Sequence, residues 1–338
     1  MVKKMEGFLL LMAAFVLLPG MTVSASEIAD SDMDESIMKE IEAHVFGQDP
    51  SLKEAEIQSL AKEIYEEKYM ESMSLAADET DGNFVDEAYE NMLEKETYIV
   101  ELISSHSGER TSRESWEYNL EYLKQHYEEI MGLESINAWY VDSYIEDYEV
   151  VRDTKDMPTS RINSIPRASY SSAKAVEYAE KYYSNYNSAY PNWGEIYNGD
   201  CANFISQCLY AGGKSMKGTP GTADAATDWS NWFSKGTSCD TKNVSSTWRG
   251  ANAFKGYWQN NANGYSKFTS VSADSYKYGY KGDAVSLLNE NGSAYHTMII
   301  VGYDSANNDF KLAAHTGNTK TASIRDYSPV GGFIIFDM

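Results

Sequence analysis

The chain has 338 residues, with 51 Asp/Glu against 28 Lys/Arg and a formal net charge of −23. That length accommodates two domains, and the charge argues against docking on nucleic acid or on anionic membrane and wall polymers. No 20-residue apolar span follows the N-terminus, so no internal transmembrane helix is expected.

The N-terminus reads as a secretory signal peptide, residues 1–25. Lys3 and Lys4 supply the positive start, Phe8 to Leu18 the apolar centre, and Val23-Ser24-Ala25 the small residues at the cleavage site. The mature chain is expected to begin near Ser26 and to be extracellular, with association with the cell wall left open.

Residues 26–152 form an acidic region. Within 26–150 there are 34 Asp/Glu and 8 Lys/Arg, whereas residues 168–338 hold 14 of each. The acidity therefore belongs to the first half alone. Its Glu, Lys, Met, Leu and Tyr content favours helix, and apolar spacing predicts helices near 33–46, 51–75, 84–105 and 112–131. Residues 134–151 fit helix or strand. Residues 153–168 carry two prolines and no periodicity, and read as a linker. We read the acidic half as a solvated helical domain. The competing reading is a pro-region that restrains the second half.

In residues 169–338 a helix is expected over Ser171 to Tyr186, with Ala175, Val176, Tyr178 and Ala179 inward. The stretch DCANFISQCLYAGG, 200–213, places Cys201 at the start of a second helix. Asp200 has the side chain of an N-cap, and Gly212 and Gly213 end the helix. A cysteine in the first turn feels the positive end of the helix dipole, which favours the thiolate. Trp248 to Gln259 reads as another helix. Strands follow in GDAVSLLN, YHTMIIVGYD, FKLAAHTG and GGFIIFDM, so the fold class is α+β.

Three cysteines leave at least one thiol unpaired. Cys201 is the natural free one, and Cys208 reads as a small buried apolar residue. A Cys208–Cys239 bridge is the less favoured alternative.

The hairpin over 295–316 sets the geometry of two histidines. If Asp304 pairs with Asp309 across Ser305–Asn308, Met298 lies opposite His315. His296 and His315 then share one sheet face, one diagonal step apart and close enough to hydrogen-bond. A one-residue shift would separate them onto opposite faces. The face of His296, Met298 and Ile300 is apolar, and its expected cover is the helix that starts at Cys201.

These residues outline cysteine-based acyl transfer. Cys201 is the expected nucleophile, His296 the base and His315 the residue that orients it. Asp200, Asn203 and Asn318 are supporting polar residues, and the Cys201 N–H is an oxyanion donor. A metal site is disfavoured, because no H-x-x-x-H, C-x-x-C or H-E-x-x-H spacing occurs. No cofactor is expected. A serine hydrolase is disfavoured too, since G-x-S-x-G is absent.

The pieces AVEYAEKYYSNYN, GDCANFISQCLYAGG, DWSNW, STWRGANAFKGYW, GDAV, YHTMIIVGYD and AAHTGN resemble, in order and spacing, the putative amidase domain family of secreted Gram-positive bacterial proteins. The resemblance covers about 170–337. It implies a papain-like fold related to CHAP and NlpC-type hydrolases, with Cys201 as nucleophile, His296 as base and His315 as third polar residue. The expected function is a secreted thiol-dependent amidohydrolase acting on peptidoglycan stem peptides. The alternatives are a protein-directed cysteine peptidase or acyl transferase, and a non-catalytic wall-binding module of the same fold.

Overall fold

The computed structural model describes residues 34–70, 86–163, 170–197 and 199–338. The leader read at 1–25 lies outside them, as do 71–75 of the second expected helix.

In the first half, helices run over Glu35–Gln48 (α1), Glu54–Tyr65 (α2), Glu87–Ser107 (α3), Trp116–Gln125 (α4), Tyr127–Met131 (α5) and Ala138–Thr154 (α6). The segment that fitted helix or strand is therefore helix. Local chemistry explains the ends of α3. The Asp86 carboxylate accepts from the Tyr89 N–H, and Gly108 closes the helix at φ 74°. Between them Ala88, Met92, Glu96, Ile99 and Ile103 are buried at helical spacing. Ile99 and Ile103 pack with Leu120, Leu123, Val141 and Tyr144 of α4 and α6 in a helical core.

The second half adds Ser172–Tyr182 (α7), Gly194–Tyr197 (α8), Cys201–Ala211 (α9), Ala223–Thr227 (α10), Ser246–Arg249 (α11), Ala251–Asn261 (α12), Ala273–Tyr278 (α13) and Ile324–Tyr327 (α14). Its strands are Ser160–Ile162 (β1), Gly264–Phe268 (β2), Ala284–Leu288 (β3), Ala294–Asp304 (β4), Asp309–Ala314 (β5), Thr319–Ala322 (β6) and Phe333–Asp337 (β7). They form one antiparallel sheet in the order β1-β2-β7-β3-β4-β5-β6. The α+β class read from the sequence holds. The stretch read as a linker contributes the edge strand β1, paired with β2. Polar, exposed Ser160–Ile162 shows no alternation, because an edge strand is held by its backbone hydrogen bonds.

Each sheet face has its own cover. Ile299, Val301 and Ala313 pack with Phe204, Ile205 and Leu209 of α9 and with Phe254 and Trp258 of α12. Val285, Leu287, Met298 and Ile300 face the other way, against Tyr276 of α13, Ile324 and Tyr327 of α14, and Ala88 and Met92 of α3. The helix starting at Cys201 therefore covers the face opposite to that expected. The acidic half is also not merely solvated, since α3 supplies side chains to the core of the sheet.

Other contacts tie the halves together. The buried Glu96 carboxylate accepts from Arg113 Nε (2.7 Å), Tyr148 Oη (2.5 Å) and, across the boundary, Asn289 Nδ2 (3.0 Å). A Cβ at Gly256 of α12 would meet Val150 of α6 at 2.9 Å, so only glycine permits this approach of the two helices.

Lys68, just after α2, donates from Nζ to the carbonyls of Lys277 (3.1 Å) and Gly279 (2.7 Å), with the Tyr280 ring 4.0 Å away. Burial pushes its pKa down to about 7, against the opposing pull of Asp283 and Glu40. The unfolded chain thus binds a proton that the folded chain releases between pH 7 and the ordinary lysine range near 10.5. Stability from this group rises with pH through that window, by at most about 1.4 kcal/mol per pH unit. Urea unfolding at pH 7 and pH 9 should show this increment, and Lys68→Met should flatten it. An unchanged pH slope in that variant would refute the linkage.

Candidate active site

Strand β4 carries two bulges that place the site. Asp304 pairs with Asp309 as expected, but the register shifts between Ile300 and Gly302, so Ile299 pairs with Ala313. Val301 is the extra residue. Continued past the end of β5, this register sets His315 opposite Thr297 rather than Met298. His296 and His315 are therefore on opposite faces, and the expected hydrogen bond between them is not formed. A bulge flanked by apolar residues on both sides leaves no signature in an alternation pattern.

His315 lies on the α9 side, stacked on Phe204 with ring centroids 4.0 Å apart. Its Nδ1 is 2.6 Å from an Asp200 carboxylate oxygen and its Nε2 is 2.8 Å from the Tyr182 carbonyl. Both ring nitrogens are thus engaged, and neither is spare. The other Asp200 oxygen accepts from Trp193 N–H and Asn203 Nδ2, each at 2.9 Å. Asp200 thus makes no side-chain cap bond to α9. Its carboxylate is turned away from the helix axis to hold His315 and Asn203. Asn203 also donates to the Pro191 carbonyl and accepts from Trp248 Nε1, so it is a structural tie. Asn318 is exposed in the turn after β5, where Thr316, Gly317 and Asn318 all have positive φ. No contact joins it to the other site residues among the described residues.

Cys201 occupies the notch where β5 ends. Ile300 pairs through its own N–H and C=O with Asp283 and Gly282 on the β3 side. By alternation the Thr297 amide points the other way, toward the vacated side, and there it hydrogen-bonds the Cys201 sulfur. Burial pushes the thiol up to about 12, the nearby Asp200 charge adds to that rise, and the opposing N–H groups of Thr297, Ala202 and Cys201 do not reverse it. The lowered pKa expected from the helix terminus is not what this state shows, because desolvation outweighs the dipole.

His296 is fully buried, opposite Leu287 on β3, and neither ring nitrogen has a hydrogen-bond partner among the described residues. Burial lowers its pKa to about 3, so the ring is neutral. Tyr327 stands beside it, ring centroids 5.3 Å apart, its phenol pKa raised chiefly by burial. An unpaired buried imidazole is an uncommon expense in a folded core. It has the form of a proton acceptor waiting for a partner.

Cys201 is only 8% exposed and lines a cavity of about 150 Å³. Thr316, Tyr295 and Arg249 line it from the second half, and Met92, Trp139 and Glu146 from α3 and α6. Ligand pockets usually measure roughly 300–1,000 Å³, so the cavity is too small for a peptide. The residues that sequence reasoning missed here are Thr297, Tyr327, Arg249 and the α6 wall. Only packing brings them together. Cys201, Cys208 and Cys239 are all free thiols, Cys208 in the core, so no Cys208–Cys239 bridge forms.

These pKa directions predict a labelling experiment. At pH 7 a thiol near 12 is thiolate only about once in 10⁵ molecules. Iodoacetamide should therefore label half-exposed Cys239 first. Labelling of Cys201 should be slow and should gain about tenfold per pH unit above pH 7. Peptide mass spectrometry reads both rates. Fast labelling of Cys201 at pH 7 would contradict the covered thiol described above.

This half therefore sets a cysteine at a helix start against an antiparallel sheet whose strand β4 carries His296. Residues 169–331, just under half of the chain, match the family model described as Putative amidase domain. The chain thus carries an amidase-type hydrolase domain. It is 33% identical over 144 residues to the uncharacterized protein YhbB of Bacillus subtilis (strain 168), a match covering 41% of this chain and 39% of that protein. The match therefore spans well under half of either protein. No solved structure matches the chain.

Proposed function

We infer that the protein is a secreted thiol-dependent amidohydrolase acting on peptidoglycan stem peptides. The observation that supports the thiol mechanism is the Cys201 sulfur at a helix start, facing the backbone amide of Thr297, whose neighbour on β4 is His296 with its unpaired imidazole. In the reaction His296 takes the thiol proton and the sulfur attacks the amide carbon. Negative charge develops on the carbonyl oxygen, toward the backbone N–H donors. The C–N bond then breaks and His296 returns the proton to the leaving amine. Water hydrolyses the thioester and restores the thiol. His315 touches none of the reacting atoms in this scheme. It positions Asp200, and through it the start of α9.

A thiol near 12 and an imidazole near 3 keep the proton on sulfur. The described state is therefore a resting one, with α3 and α6 as its cover. Admission of substrate and water past these helices brings the two pKa values together. This supports the pro-region reading of the acidic half over the solvated-domain reading.

Digestion of purified peptidoglycan, with new termini identified by mass spectrometry, tests the substrate class. New amino groups on L-alanine mean a muramoyl-alanine amidase, and other termini mean an endopeptidase. No release from any wall type would favour a protein-directed peptidase or acyl transferase.

A further inference from the structure

Arg249 closes α11 and lines the same cavity as Cys201. Its side chain is only 5% exposed. The guanidinium carbon lies 5.4 Å from the Trp139 ring and 5.5 Å from the Trp193 ring, and these indoles are near-parallel, 6.4 Å apart. A buried guanidinium ordinarily uses its fork on a carboxylate, with two bonds of about 2.7–2.9 Å. Here the carboxylate is Glu146 of α6, reached by one nitrogen at 3.4 Å, and Nε has no partner. The fork is thus desolvated, flanked by apolar walls and largely unused.

We propose that Arg249 is a carboxylate-recognition residue of the Cys201 cleft, selecting peptides with a free carboxylate close to the scissile amide, and that Glu146 occupies it as an internal substitute. The proposal rests on the thiol amidase reading. Arg249 and Cys201 line one cavity, which sets a carboxylate held by Arg249 close to the bond attacked. Trp139, which lines the cavity, offers an apolar face to a small side chain next to that carboxylate. Glu146 belongs to the acidic half, so the cover of the site and the occupant of its anion subsite are one element. Substrate entry exchanges one carboxylate for another, and the fork gains its second hydrogen bond.

The test separates binding from chemistry. In full-length Cys201→Ser protein, N-acetyl-alanyl-alanine and its C-terminal carboxamide are titrated by tryptophan fluorescence. The acid is expected to bind at least tenfold more tightly than the amide. Arg249→Gln should bring the acid to the level of the amide, and Arg249→Lys, with charge but no fork, should restore only part. Glu146→Gln should tighten the acid severalfold and leave the amide unchanged. A purely structural Arg249 would weaken both probes equally. Equal affinities in the parent, binding of neither probe, or discrimination that survives Arg249→Gln would each overturn the proposal. If Arg249→Gln does not fold, the parent comparison and Glu146→Gln still decide. Selective acid binding in a protein that digests no peptidoglycan would leave the subsite standing while the substrate reading falls.

Discussion

Cys201→Ser should lower amide hydrolysis by at least about a thousandfold while the fold persists. A hydroxyl is far harder to ionise than a thiol, and loss of a nucleophile removes most of the chemical acceleration. The exchange is nearly isosteric, and the new hydroxyl meets the Thr297 and Ala202 amides that now face sulfur. Circular dichroism and thermal unfolding should therefore match the parent. Cys208→Ser and Cys239→Ser should stay active. Cys208→Ser should lose stability, because Cys208 lies in the core between α9 and the sheet, where a hydroxyl without a partner costs about 1–3 kcal/mol. Hydrolysis retained by Cys201→Ser would sink the thiol mechanism.

The two histidines should separate by readout. His296→Ala is expected to lower kcat by at least about a hundredfold, the usual contribution of a general base, with little loss of stability from hydrogen bonding, because the ring makes no hydrogen bond to lose. His315→Ala is expected to lower Tm, because it strips a donor from the buried Asp200 carboxylate, a loss of about 1–3 kcal/mol. His315→Asn, which offers an amide donor, should recover part of that. Asp200→Asn should be strongly non-additive with His315→Ala, since one contact is removed twice. His296→Ala should be nearly additive with His315→Ala in Tm, as the rings lie on opposite faces with separate partners. If His315→Ala abolished turnover at unchanged Tm while His296→Ala kept it, the base would be His315.

Particular residues show how far reading along the chain reaches. Cys201 at a helix start, Ala175 and Ala179 inward, and the Asp304–Asp309 turn were legible because each is a matter of neighbours three, four or five positions apart. Helix and strand periods, caps and turns are written at that range. The motifs around Cys201 and His296 likewise carry the resemblance to the putative amidase family.

Three features were decided elsewhere. The Val301 bulge turned a correct hairpin into an incorrect histidine pair, because one inserted residue flips every side chain beyond it. The Asp200 carboxylate had the composition of a cap, but His315, 115 positions away, offered a charge-assisted bond that a surface helix start cannot match. The thiol expected to be ionised has its pKa pushed up instead, because burial strips the thiolate of hydration. The sequence by itself determined the helix that starts at Cys201, most helices of the first half, the main strands of the sheet and the chemical groups, which depend on local order. Only the tertiary structure decided which groups meet, what covers them and which protonation state they hold, because burial and distance in space are sums over the whole chain.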